Sequence, residues 1–501
     1  MSQIRVNHLT FVYEGSFDNI FENVSFSIDT DWKLGFIGRN GKGKSTFLNL
    51  LMGKYEYTGS ITSNAVFDYF PYDISEKKRE FPAAEFVEEF KANLELWRVY
   101  AELSKLQADA EIMYRPWKTL SFGEQTKVML AVLFSGENDF LLIDEPTNHL
   151  DDESRKIVKR YLASKKGFIL VSHDRDLLDA CVDHVLVLNR STIEVQAGNF
   201  SSWWENKEKK DNFAVAENEK HKKEISKLNE AAKRVRNWSE KSENSKIGFD
   251  PIKENDRSIS TRAYIGSKTK KMQARVKQME QRIQTEIAEK EGLLVDLEQP
   301  IDLKLNPLTH HKEVLVSAYQ YGLRYKDADK MLFENQTFEI RNGDRLFISG
   351  KNGSGKTSLI KAILGETENL LEQGDLRIAS GIEISYINQD TSYLRGTVHS
   401  FCTEHQLEES LLCSILRLDI GREQFAKNLE EYSEGQKKKV VIAASLLKPA
   451  HLYIWDEPLN YIDVFSRIQL ENLILKYQPT MLVVDHDVRF REKIAMKTVW
   501  L

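Results

Sequence analysis

The 501 residues carry 70 Lys and Arg against 76 Asp and Glu, a net charge of −6, and 41% are hydrophobic. That composition permits several buried cores, and no apolar run approaches the ~20 residues a membrane span needs. The opening Met1-Ser-Gln-Ile-Arg-Val has neither the basic start nor the apolar stretch of a secretory signal. The chain is therefore expected to be soluble and cytoplasmic, with attachment to a membrane through a partner subunit left open. Cys181, Cys402 and Cys413 have no C-x-x-C spacing. This argues against structural zinc, an iron–sulfur cluster or a disulfide framework, and reads as buried thiols. His310 and His311 have no further ligands at metal spacing and are read as a solvated domain edge.

In chain order, a strand over Ile4–Phe11 precedes an apolar strand, Leu34–Gly38, that runs into a glycine-rich loop. A helix start follows at Phe47. Next come a charged helical middle (Glu85–Leu106), a helix over Lys127–Leu133, and buried strands at Phe140–Ile143 and Phe168–Val171, the last leading to His173. Strands alternating with helical patterns predict an α/β domain with parallel strands.

Residues 221–280 break this pattern. They carry sixteen Lys or Arg and eight Asp or Glu, so the rest of the chain is strongly acidic. Ile225, Leu228, Ala232 and Val235 recur at three- and four-residue steps. Val276, Met279, Ile283 and Ile287 do the same, continuing to Leu294 and Leu297. Such a narrow apolar stripe is of the coiled-coil kind. Gly248, Pro251 and several Asn and Ser lie between the two runs. The stretch reads as an antiparallel helical hairpin with its tip at about 242–264 and arms of ~35–40 residues, or 50–60 Å at ~1.5 Å per residue.

Beyond Pro300 and Pro307 the first half is repeated. Gly38-Arg-Asn-Gly-Lys-Gly-Lys44-Ser45 matches Gly350-Lys-Asn-Gly-Ser-Gly-Lys356-Thr357. Leu120-Ser121-Phe-Gly123-Glu-Gln125 matches Tyr432-Ser433-Glu-Gly435-Gln436. Asp144-Glu145-Pro-Thr-Asn-His-Leu-Asp151 matches Asp456-Glu457-Pro-Leu-Asn-Tyr-Ile-Asp463. These pairs, with Tyr13 and Tyr325, all lie 312 residues apart, and His173 and His486 lie 313 apart. The expected organisation is an α/β domain at 1–198, the hairpin at 199–305 and a second α/β domain at 306–501.

Gly-x-x-x-x-Gly-Lys-Ser/Thr after an apolar strand and before a helix is a phosphate loop. Small residues let backbone N–H groups approach phosphate, the helix start favours negative charge, the lysine reaches the β/γ-phosphates and the hydroxyl ligates Mg²⁺. The candidate nucleotide set is Gly38, Asn40, Gly41, Gly43, Lys44, Ser45 and Thr46, with Gly350, Asn352, Gly353, Gly355, Lys356, Thr357 and Ser358 in the repeat. Asp144 and Asp456 end apolar strands, where a carboxylate needs a cation or hydrogen bonds, and Mg²⁺ held through water is the natural partner. Glu145 and Glu457 are suited to act as general bases toward water. His173 and His486, duplicated at near-equal spacing from the acids, are read as γ-phosphate contacts rather than core histidines. The Ser-x-Gly segments supply a hydroxyl and N–H groups at a helix start, an anion site of unassigned purpose.

The order aromatic, phosphate loop, Leu-Ser-Phe-Gly-Glu-Gln, Asp-Glu-Pro-Thr-Asn-His-Leu-Asp and histidine resembles an ATP-binding cassette (ABC) domain. The resemblance covers both halves and implies two tandem P-loop ATPase domains paired head to tail around two ATPs. It implies that Lys44 shares a nucleotide with Ser433, Gly435 and Gln436, and Lys356 with Ser121, Gly123 and Glu124. Tyr13 and Tyr325 would stack on adenine and Gln389 would meet Mg²⁺. Paired cassettes flanking a charged hairpin resemble the ABC-F family, soluble ATPases of the ribosome whose linker enters the E site toward P-site tRNA. Asp29-Thr-Asp-Trp-Lys-Leu-Gly-Phe-Ile-Gly and Leu452-Tyr-Ile-Trp-Asp-Glu-Pro-Leu-Asn-Tyr-Ile-Asp-Val-Phe resemble its antibiotic-resistance branch, which protects ribosomes from lincosamides, streptogramin A and pleuromutilins. The implied partner is the bacterial 70S ribosome, including 23S rRNA, met by a monomer with two intramolecular ATP sites. Where the family has a Q-loop glutamine, the first half has Tyr72, so unequal turnover at the two sites is expected. Ser433-Glu-Gly and Asn460-Tyr-Ile-Asp also depart from the pattern.

Arg257–Lys277 holds seven basic residues and no acid. A charge run is most often a solvated helix face, but near a hairpin tip in an acidic protein it favours RNA phosphate. Trp238, Phe249 and Tyr264 either stack on bases or pack the two arms. A housekeeping translation factor is the nearest alternative. A transporter ATPase subunit gives the hairpin no task, and a DNA-acting coiled-coil ATPase would carry its coiled coil inside a cassette.

Overall fold

The computed structural model describes residues 3–13, 19–91, 94–136, 139–148, 150–189, 191–244, 274–279, 281–288, 290, 303–416 and 422–501. Met1–Trp203 and Ile301–Leu501 pack as one compact unit and Trp204–Pro300 as another.

In the first half, Lys33–Ile37, Asp139–Asp144, Phe168–Val171 and His184–Leu188 are short, β-branched or aromatic runs. Strands of that kind are buried on both faces of a parallel sheet. They form a sheet ordered Val66–Phe70, Asp139–Asp144, Phe168–Val171, Lys33–Ile37, His184–Leu188, Ile193–Ala197, parallel except for the last pair. The second half repeats it with five parallel strands: Ile384–Ile387, Leu452–Asp456, Met481–Val484, Arg345–Ser349 and Lys497–Trp500. Each half adds a three-stranded antiparallel sheet, with Gln3–Phe11 or Val314–Tyr325 in the middle. Phe36, Phe47 and Phe140 fill the first core between the sheets, and Leu346, Leu359 and Leu452 the second. Parallel pairing sends the carboxyl ends of the central strands to one edge. The glycine-rich loop, the acid pair and the histidine therefore emerge side by side.

The charged middles are not continuous helices. Residues 85–106 divide into Ala83–Phe86, a 3-10 turn at Val87–Glu89 and Leu96–Lys105. The corresponding part of the second half holds Glu409–Leu416 and 3-10 turns at Arg422–Ala426 and Leu429–Glu431. Among the described residues of 85–106, Phe86 and Val87 bury one patch and Val99 and Leu103 another, so the stretch has no single apolar stripe. His310 is a correction to the sequence reading, being only 7% exposed. Its ring lies 4.0 Å from that of His311 and 5.3 Å from that of His451. The segment is pinned because Leu308 N–H donates to Ala450 O at 2.8 Å.

In the other unit the first arm is one helix, Phe200–Asn244, of 45 residues, longer than expected and ~68 Å at ~1.5 Å per residue. Residues 274–279 and 281–288 of the return arm are helical. Lys290 Nζ reaches Glu224 Oε2 at 2.6 Å, which brings the return arm beside the first, as a hairpin requires. Val276 and Ile283 are buried as their spacing predicts, whereas Met279 is 55% exposed and leaves the stripe. The basic run from Arg257 to Lys271, Phe249, Tyr264 and the side chain of Trp238 lie outside the described residues.

Candidate active sites

Each glycine-rich loop ends at a glycine that only glycine suits. Gly43 (φ 109°) and Gly355 (φ 96°) cap the helices Lys44–Leu51 and Lys356–Leu364. A Cβ on Gly43 would lie 2.5 Å from the Ile20 side chain. Lys44 Nζ donates to Gly38 O at 2.8 Å, Arg39 O at 3.1 Å and Asn40 Oδ1 at 3.2 Å. Lys356 Nζ donates to Gly350 O at 2.8 Å and Lys351 O at 2.9 Å. Burial lowers the pKa of both lysines.

Two clefts of about 520 and 360 Å³ open over these loops. Cleft one is lined by Tyr13, Asn40, Gly41, Gly43, Lys44, Ser45, Thr46, Asp144, Glu145 and His173 from the first half. From the second come Ser433, Glu434, Gly435, Gln436, Lys439 and Tyr461. Asn40 Nδ2 donates across to Tyr461 O at 2.6 Å. Cleft two is lined by Tyr325, Asn352, Gly353, Gly355, Lys356, Thr357, Ser358, Gln389, Glu457, Asn460 and His486, with Phe122 and Arg155 from the first half. Both tyrosines are partly exposed. Their hydroxyls lie 2.7 Å from Thr46 Oγ1 and 3.0 Å from Ser358 Oγ.

At the strand ends, Ser45 donates to Asp144 Oδ2 at 2.8 Å and Thr357 to Asp456 Oδ2 at 3.0 Å. Tyr69 also donates to Asp144, at 3.1 Å. Burial raises the Asp144 pKa. Burial, with Glu457 adjoining, pushes Asp456 up to about 6. Asp456 Oδ1 is buried and accepts no hydrogen bond. Glu145 and Glu457 both occupy the left-handed region, at φ 50° and 47°, which strains a glutamate. Their N–H groups donate to Val171 O at 2.9 Å and Val484 O at 2.8 Å. Burial, with Asp144 adding to it, pushes Glu145 up to about 8.

The surroundings of the two glutamates differ. Glu145 Oε1 lies 3.3 Å from His173 Nε2. Burial, with Lys44 beside it, holds that imidazole well below its ordinary pKa. Glu457 Oε2 accepts from Gln389 Nε2 at 2.8 Å and Asn460 Nδ2 at 2.6 Å, and His486 Nε2 is 3.7 Å from Oε1. Tyr72 does not take the place of Gln389. Its hydroxyl donates to Asp68 Oδ2 at 2.7 Å and its ring stacks on Phe90 at 4.7 Å.

The Ser-x-Gly segments form capping boxes at the starts of Phe122–Leu133 and Glu434–Leu447. Ser433 and Gly435 reach cleft one. Ser121 and Gly123 are not among the residues lining cleft two, where Phe122 between them takes part. Ser121 Oγ donates to Glu124 Oε2 at 2.9 Å, and Glu124 pairs with Arg115 at 2.9 Å, so this start carries a carboxylate. The Ser433 start has the neutral Gln436 in that capping place, and its carboxylate, Glu434, accepts from Thr391 Oγ1 at 2.8 Å. His149 lies outside the described residues.

Sequence reasoning missed Asp152. It lies 3.3 Å from His486 Nδ1 in the other half and pairs with Arg491 at 3.1 Å. Burial would raise its pKa, but bonds from His486 and Arg491 bring it down to about 2. The signal was present, since the repeat offset puts Val464 where the first half has Asp152. Arg155 Nη1 also crosses, donating to His486 O at 3.3 Å.

Two parallel α/β sheets, each presenting a phosphate loop, an acid pair and a histidine, and each facing a helix start of the other half, define a tandem P-loop ATPase. The ABC transporter family model matches residues 21–148 and 333–460, and the chain belongs to that family of ATP-binding ATPases. Within it, the chain resembles the ABC-F proteins. It is 29% identical to the ribosome protection protein VmlR of Bacillus subtilis, over 96% of this chain and 84% of that protein. It is 27% identical to the ATP-binding protein Uup of Buchnera aphidicola, over 99% of this chain and 80% of that one. The fold is shared with the archaeal ribosome recycling factor aABCE1, crystallised with stalk protein aP1. There the TM-score is 0.61 at 19% identity, covering 98% of this chain and 87% of the other. Among the described residues no helix is long and apolar enough to cross a membrane.

Proposed function

We propose that this protein is an ATP-dependent ribosome-binding ABC-F factor that confers antibiotic resistance by ribosome protection. Its linker would enter the E site toward P-site tRNA and the peptidyl-transferase centre, and ATP hydrolysis would release it. The observation that carries this reading is the whole-length likeness to a ribosome protection protein, linker included. The basic hairpin between two acidic halves is the part whose charge suits RNA.

In the proposed chemistry, Lys44 and Lys356 hold the β/γ-phosphates, and loop N–H groups hold the remaining oxygens. Glu145 and Glu457, when ionised, each accept a proton from the water that attacks the γ-phosphorus as its bond to the ADP oxygen breaks, and His173 and His486 contact the γ-phosphate. Burial holds Glu145 protonated at neutral pH in the nucleotide-free protein, so it must first lose that proton. Ser433 and Gly435 close cleft one from the opposite half. The residues present fit Mg²⁺: Ser45 with Asp144, and Thr357 with Asp456 and its unbonded Oδ1, are hard oxygen donors. Gln389 joins the second set on the resemblance. Among the described residues no three acids or histidines gather to hold a metal by themselves, so the ion would arrive with the nucleotide. When bound it neutralises charge building on the β/γ-oxygens.

Expression in a susceptible host, with inhibitory concentrations for lincomycin, tiamulin and virginiamycin M, tests the resistance role. A rise for at least one drug is expected. No rise for any supports the second reading, a housekeeping translation factor.

A further inference from the structure

Lys438 sits on the helix Glu434–Leu447 and is 2% exposed, although nothing in the chemistry above uses it. Its ammonium donates to two backbone carbonyls, Asn388 O at 3.1 Å and Asp456 O at 3.3 Å. A buried ammonium is costly unless it is hydrogen-bonded and balanced by charge. Here Asp456, Glu457 and Asp485 supply the opposing field.

The two carbonyls are well chosen. Asn388 precedes Gln389 and Asp456 precedes Glu457, and Gln389 and Glu457 meet at 2.8 Å in cleft two. One ammonium thus joins the two backbone segments that deliver this pair. The first half has Thr126 at the corresponding place, too short for such a bridge, and there Tyr72 turns away toward Asp68. The bridge and the Gln–Glu contact occur together in the second half.

We propose that Lys438 is a positioning residue for cleft two, fixing the Asn388 and Asp456 carbonyls and through them the placement of Gln389 and Glu457. This rests on the reading of Glu457 as the base for hydrolysis. The test uses the full chain carrying Glu145→Gln, so that turnover reports cleft two. Lys438→Met should lower kcat for ATP at least about tenfold with KM changed less than about threefold, the pattern of a misplaced reacting group. Lys438→Arg should recover most of the loss. In a Glu457→Gln background, where turnover reports cleft one, Lys438→Met should change kcat less than about threefold. If Lys438→Met does not fold, Lys438→Gln carries the same expectations. An equal loss in both backgrounds, or a raised KM with kcat intact, would overturn the proposal. Full activity in the Glu145→Gln/Glu457→Gln double variant would instead overturn the reading of Glu457.

Discussion

Glu145 and Glu457 share a strained backbone, yet one faces an imidazole and the other two amides. Burial gives Glu145 a folded pKa of about 8, above its ordinary 4.5. The folded state then holds a proton that the unfolded chain has lost, so this group lowers stability as pH rises from 4.5 through 8. Glu145→Gln should therefore stabilise the nucleotide-free protein by up to about 4 kcal/mol at pH 8 and by almost nothing near pH 4.5. Thermal unfolding across that range checks the sign. At cleft two, Asp152 bonds His486 across the halves while the mirrored position is Val464. A carboxylate behind an imidazole fixes its tautomer and orientation. Asp152→Ala should thus cut ATP turnover about tenfold in the Glu145→Gln background and much less in the Glu457→Gln background. Steady-state kcat in both decides this.

At the scale of elements, the central strands were legible because each is a short apolar run ending in a motif, and Phe168–Val171 has the bounds its residues suggested. The charged middles were not legible, because charge content alone cannot tell one amphipathic helix from several short ones. Contacts between the halves were invisible for a different reason, since they join residues hundreds of positions apart that share no motif. Arg175 pairs bidentately with the fully buried Glu471, which also accepts from Lys493 at 3.0 Å. Removing Glu471 takes the bidentate partner from the buried Arg175 and leaves it the looser Asp487 at 3.9 Å. Glu471→Ala should destabilise the paired halves by roughly 3–5 kcal/mol, read as a lowered melting temperature. The chemistry proposed for the clefts uses no residue of 242–264. Replacing 242–264 by a Gly-Ser segment should change the ribosomal phenotype and leave ATPase activity within about twofold.

Within the compact unit formed by Met1–Trp203 and Ile301–Leu501, two clefts lie between the two α/β halves. Both clefts draw residues from both halves; on the proposed function, bound ATP would favour the closed pair and hydrolysis would remove that bias. If this cycle governs ribosome binding, a variant that binds ATP but cannot hydrolyse it must stay on the ribosome. The direct measurement is co-sedimentation of the Glu145→Gln/Glu457→Gln protein with 70S ribosomes, with and without ATP. ATP should trap the double variant on ribosomes while the wild type is released. The same ribosome association with and without ATP, or association no greater than that of the wild type, would contradict it.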